Sequence, residues 1–170
     1  MTAKTAFSTD EWELLLMAPI STGMYILLIN WSVMGFIKSA KALNDVISRT
    51  TKNSGNTELL NLILRDYKDR ELMEQLASDL YGSDLEELKV DVLDIVKDAV
   101  SLLQEKATPA ESSQIRQWIH DLALQTAQAT KDGGFLGIGS VPLNEDESAF
   151  LADLSSVLKI SLTQNRQAAK

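Results

Sequence analysis

Between Glu13 and Lys38 the chain runs for 24 residues without a charged side chain, and any fold it adopts must keep that run away from water. Length alone would permit a bilayer crossing, for which about 20 apolar residues suffice. The flanks carry the matching charge asymmetry. Asp10, Glu11 and Glu13 precede the run, while Lys38, Lys41, Arg49 and Lys52 follow it. Trp12 and Trp31 stand where interfacial anchors would sit. The composition favours a soluble core instead. Pro19, Ser21, Thr22, Gly23, Asn30, Ser32 and Gly35 interrupt the run, and Tyr25 to Ile29 is the stretch that is both continuously and strongly apolar. A proline inside a helix removes one hydrogen bond and crowds the preceding turn. Pro19 is therefore expected to break the run, giving a short helix from about Asp10, a buried helix from about Ile20 and a third from about Val33. Membrane association through residues 14–37 stands as the alternative.

The rest of the chain repeats a helical period almost everywhere, and strand alternation almost nowhere. Leu85, Leu88, Val92, Ile95, Ala99 and Leu102 recur at helical spacing over 84–106, with Glu87, Asp91, Asp94 and Asp98 on the opposite face. Ser83 or Asp84 is placed to cap this helix. Thr108-Pro109-Ala110-Glu111 combines a cap residue, a first-turn proline and a capping-box glutamate. Ile115, Trp118, Ile119, Leu122 and Thr126 form the stripe that follows, and Gly133-Gly134 is placed to end it. The last helix opens at Asn144, with Glu145, Asp146 and Glu147 in its first turn, and buries Phe150, Leu151, Leu154, Val157 and Leu158. Shorter helices are expected over 57–66 and 69–80, separated from the first third of the chain by the Asn53-Ser54-Gly55-Asn56 loop. The expectation is an all-α fold of about seven to eight helices and no sheet, with residues 1–162 as one domain and 163–170 as a frayed tail.

Charge and composition exclude several functions. Net charge is −8, most of it from residues 53–108, and an acidic surface repels phosphate backbones, so nucleic-acid binding is not expected. There is no cysteine, which removes disulfides, thiolate metal sites and cysteine nucleophiles together. That usage, with no basic stretch and short apolar run at the N-terminus, leads us to expect a cytoplasmic protein. His120 is the single histidine. The residue three before it is Gln117, so the Glu-x-x-His pairing of di-iron bundles is missing. Gly133-Gly134-Phe135-Leu136-Gly137-Ile138-Gly139 has neither the glycine order nor the following Lys-Ser/Thr of a phosphate loop. No catalytic constellation and no cofactor motif emerge.

Two segments carry a resemblance. Trp12-x-x-Leu15-x-x-Ala18-Pro19-x-x-x-Gly23, together with Gly133-Gly134-Phe135-Leu136-Gly137-x-Gly139 before an acidic helix start, resembles an uncharacterised family of small bacterial all-helical proteins. The second segment also resembles, more loosely, the tellurite-resistance TerB-like helical domains. The correspondence runs through Ala127 and Ala129, then Asp132-Gly133, then Asn144 to Glu147. That resemblance implies a divalent-cation site at Asp132, Glu145, Asp146 and Glu147. The loop here is lengthened by residues 135–142, and EF-hand spacing is not met, since Gly134 and Leu136 occupy ligand positions. Gly35-Phe36 and Gly134-Phe135 hint at two equivalent helical hairpins.

The leading expectation is a non-enzymatic helical interaction protein that self-associates or binds a protein partner. The apolar stripes Leu59, Leu60 and Ile63, and Leu72, Met73 and Leu76, look broader than one small core needs. An acidic, cation-binding stress-response protein of the TerB-like kind is the second expectation.

Overall fold

The structure, a computed structural model, describes residues 1–29, 33–67, 84–129 and 143–160, with backbone only at 33–36 and 39. Among the described residues, six α-helices follow a short 3-10 turn at Lys4–Ala6: α1 Thr9–Ile29, α2 Val33–Thr51, α3 Glu58–Asp66, α4 Leu85–Lys106, α5 Pro109–Ala129 and α6 Glu145–Val157. The fold is all-α, and no strand occurs among the described residues. The count falls short of the seven to eight expected. Residues 69–80 lie outside the described residues, and the break expected at Pro19 is absent.

That absence has a physical account. α1 runs unbroken through Pro19, although a proline leaves the preceding turn short of a donor. Pro19 leaves the Leu15 carbonyl, four residues before it, without its helical donor; the next carbonyl along, that of Leu16, accepts from the buried Tyr67 hydroxyl at 2.7 Å. Burial pushes the Tyr67 hydroxyl well above the ordinary phenol range, so it stays protonated and able to donate. Two of the polar residues that seemed to interrupt the run, Ser21 and Thr22, satisfy themselves locally. Ser21 Oγ and Thr22 Oγ1 both donate to the Ala18 carbonyl, at 3.2 and 2.6 Å.

α1 is the axis of the bundle. It packs along α4 and α5 and also touches α2 and α6. Ala18, Ser21, Thr22 and Gly23 are buried and let neighbouring helices approach closely. A Cβ at Gly23 would lie 2.7 Å from Leu43 Cδ1. The Tyr25 ring stacks against Phe150 of α6, centroids 4.4 Å apart and planes tilted by 45°. By length and hydropathy α1 is able to cross a membrane, but 67% of its most apolar window is buried against the rest of the protein.

One core cluster draws residues from all six helices. Leu59, Leu60 and Ile63 of α3 are fully buried in it, so the surplus apolar face expected there does not exist. Leu72, Met73 and Leu76 lie outside the described residues. On α4 the buried stripe is Leu88, Val92, Val96, Ala99, Val100, Leu102 and Leu103. Leu88, Val92, Ala99 and Leu102 are buried as expected, but Leu85 is 44% exposed and Ile95 only half-buried, while Val96, Val100 and Leu103 take the buried side. Gly35-Phe36 falls within the first turns of α2 rather than between helices.

Candidate functional site

Two of the helix starts read from the sequence, those of α5 and α6, are formed as capping boxes. Asn144 N–H donates to Glu147 Oε2 at 2.8 Å, and Glu147 N–H donates to Asn144 Oδ1 at 2.7 Å. This places the proposed cation ligands apart in role. Glu147 is buried and engaged in the cap, while Glu145 and Asp146 are exposed on the first turn of α6. Asp132 and the whole glycine loop 133–139 lie outside the described residues. Among the described residues, no group of three or more histidine or carboxylate side chains is arranged to hold a metal ion. His120 is buried, with Nδ1 3.7 Å from Asp121 Oδ1. Glu87, Asp91, Asp94 and Asp98 are all exposed along α4, where Lys97 approaches Asp94 at 3.9 Å.

The second capping box builds a polar knot at the start of α5. Glu111 is 3% exposed. Its carboxylate accepts from Thr2 N–H at 3.0 Å, Thr2 Oγ1 at 2.8 Å, Thr108 N–H at 3.0 Å and Thr108 Oγ1 at 2.7 Å. Burial alone would push this carboxyl up. The hydrogen bonds from Thr2 and Thr108 outweigh it and hold the group at about 2. Trp12, Ala18, Pro19 and Gly23, the residues behind the family resemblance, likewise act in packing. The Trp12 indole donates to Asp66 Oδ2 at 2.9 Å, tying α1 to the end of α3.

A surface depression lies between α2 and α5. One part, about 600 Å³, is lined by Asp45, Ser48, Arg49, Lys52, Gln125 and Gln128 among others. A second, about 520 Å³, adjoins it at Gln125 and continues past Thr50, Asn56, Gln114, Gln117, Trp118 and Asp121. Buried Val46 and Trp118 supply its base. One wall of this cleft is a ladder on α5: Gln114, Gln117, Asp121, Gln125 and Gln128, spaced by three or four residues so that they share a face. From Gln114 to Gln128 the ladder covers about 21 Å at the α-helical rise.

The ladder is partly fixed from within. Gln114 accepts from Thr57 N–H at 2.7 Å and donates to the Gly55 carbonyl at 2.9 Å, which anchors the α2–α3 turn. Gln117 donates to Asp121 at 3.0 Å, and Gln125 accepts from Arg49 Nη2 at 2.7 Å. The Trp118 indole donates to Thr50 Oγ1 at 3.1 Å and joins α5 to α2 below the cleft. The Gln117 carbonyl, the Gln125 amide nitrogen and both ends of Gln128 make no hydrogen bond with other described residues. Gln117 is held through its amide nitrogen and Gln125 through its carbonyl, which leaves the other end of each available, while Gln128 is exposed with both ends available. Sequence reading passed over this ladder because glutamine is ordinary on a helix surface, although its three–four spacing is visible in the sequence.

No family model matches the chain, and no curated protein or solved structure matches it either.

Proposed function

We propose that this chain is a non-enzymatic helical interaction protein whose cleft between α2 and α5 binds an extended segment of a protein partner. The observation that carries this reading is the ladder from Gln114 to Gln128 along one wall. A carboxamide offers a donor and an acceptor without charge, the same pair that a peptide main chain presents at each residue. The glutamine amides neither titrate near neutral pH nor act as nucleophiles, which suits this wall to binding an uncharged main chain rather than to bond-making. Its length of about 21 Å matches about six residues of extended chain at the strand rise. The floor of Val46 and Trp118 gives the segment an apolar seat, and the bonds that already hold Gln114, Gln117 and Gln125 limit the side-chain ordering cost on binding.

Panning a random peptide library displayed on phage against the folded protein tests this. The expected result is a set of peptides that bind wild type and lose at least about tenfold in affinity in Q117A/Q125A/Q128A, roughly the loss of one or two net hydrogen bonds. Backbone N-methylation of a selected peptide should weaken it comparably. Selected peptides that bind the triple variant as well as wild type, or no selection above background, would overturn the reading.

A further inference from the structure

A second cavity, independent of the cleft, lies beside the N-terminal end of α1. Lys4, Phe7, Ser8, Trp12, Glu13 and Asp66 line most of its volume of about 500 Å³. Asp66 organises it. Its Oδ2 accepts from the Trp12 indole at 2.9 Å and pairs with the Lys4 ammonium. The same ammonium sits 4.9 Å from the centroid of the Trp12 ring. An anion beside an aromatic face is the combination that receives an alkylammonium group, through a charge-assisted hydrogen bond on one side and the ring quadrupole on the other.

The two partners in this contact are held very differently. Trp12 is buried and packs against Phe7, ring centroids 5.7 Å apart, and Asp66 closes α3 with its side chain only 17% exposed. Lys4 stands on the Lys4–Ala6 turn, which buries no residue of its own, and its side chain is 46% exposed. Exposed ion pairs hold their partners weakly. Glu13 on the rim adds negative charge, whereas Arg65 approaches Asp66 Oδ1 at 3.7 Å as an opposing cation. The receiving half is rigid and the occupying half is loosely held.

The geometry points to a binding site for a primary alkylammonium group at Trp12 and Asp66, of the kind a partner's lysine side chain carries, which Lys4 fills in the free protein. The test follows the Trp12 indole N–H resonance in 15N-labelled protein during titration with N-acetyl-lysine methylamide. In K4A the shift should saturate at a concentration about tenfold lower than in wild type, the combined worth of one exposed ion pair and one cation–π contact. K4M, which keeps the apolar stem over the ring, serves the same purpose if K4A loses its fold. D66N should abolish saturation. The assignment is overturned if wild type and both Lys4 variants saturate together, if the Nε-acetylated analogue shifts the resonance equally, or if the arginine analogue binds more tightly.

Discussion

Replacing Glu111 by glutamine should cost the protein about 3 kcal/mol at neutral pH, and that cost should vanish in acid. The carboxyl sits at about 2 against an ordinary value of 4.5, and each whole step of that difference corresponds to about 1.4 kcal/mol. Glutamine keeps the shape. It presents an amide N–H₂ toward donors on Thr2 and Thr108 that now face a carboxylate, and one of its two ends no longer accepts. Because the folded value is depressed, the stabilisation is complete above the unfolded value near 4.5 and is lost as the pH falls through about 2. Urea unfolding of wild type and E111Q at pH 7, 5, 4, 3 and 2 measures it. The wild-type advantage should hold down to pH 5, shrink through pH 4 and 3, and be mostly gone near pH 2. Glu11, lowered by its hydrogen bond from Lys106, adds acid sensitivity to both proteins and cancels in the comparison. So does Asp66, whose burial pushes it up and whose bonds from Lys4 and Trp12 outweigh that. An advantage that stays constant from pH 7 to pH 2 would show that the loss is steric, and the charge argument would fail.

Two further substitutions probe the backbone. Tyr67→Phe removes the donor that supports the Leu16 carbonyl beside Pro19; a loss of about 1 kcal/mol in chemical denaturation is expected, and an unchanged midpoint would mean α1 tolerates its proline unaided. Lys159 follows the end of α6 with φ of 54°, while Ile160 N–H returns to the Ser155 carbonyl at 3.1 Å. That left-handed position strains an L-residue, so Lys159→Gly should raise stability by about 1 kcal/mol, read as a higher melting temperature. A lower one would indicate that the Lys159 contact with Gln104 outweighs the strain.

How far the fold was readable depends on the range of the chemistry involved. The starts of α4, α5 and α6 were legible because a cap is written within four residues: Asp84 accepts from Glu86 N–H, and the Thr108–Glu111 and Asn144–Glu147 boxes form as spaced. Pro19 was misread because the helix around it is held by distant partners, such as the Tyr67 hydroxyl that reaches Leu16 from 51 residues along the chain, and no local rule contains them. The α4 stripe was right at Leu88, Val92, Ala99 and Leu102 and misjudged at Leu85 and Ile95 for a related reason. Periodicity fixes that a face is apolar, but neighbours fix its rotation by a residue, and here they turn Leu85 outward. The ladder on α5 is the same case at the level of function. Its spacing is in the sequence, yet it becomes a wall only when α2 lies alongside to form the other side.

The hint of paired hairpins changes meaning on the same grounds. It rested on Gly35-Phe36, which belongs inside α2. The stronger likeness is between α1 and α5, each 21 residues long. Ser8 N–H donates to Glu11 Oε2 at 2.7 Å as Thr108 N–H donates to Glu111 at 3.0 Å, so each helix opens with the same Ser/Thr-to-Glu box. Lys106 joins the two starts, donating to Glu11 at 2.6 Å while its carbonyl accepts from Thr2 Oγ1 at 3.4 Å. Two long helices thus begin side by side at one corner, pinned by a buried carboxylate and an adjacent ion pair. The Gln114–Gln128 ladder begins within a turn of that corner on α5. Rigidity at the start of α5 is therefore what gives the wall of the cleft a fixed position, and E111Q, by loosening that start, should weaken peptide binding as well as stability.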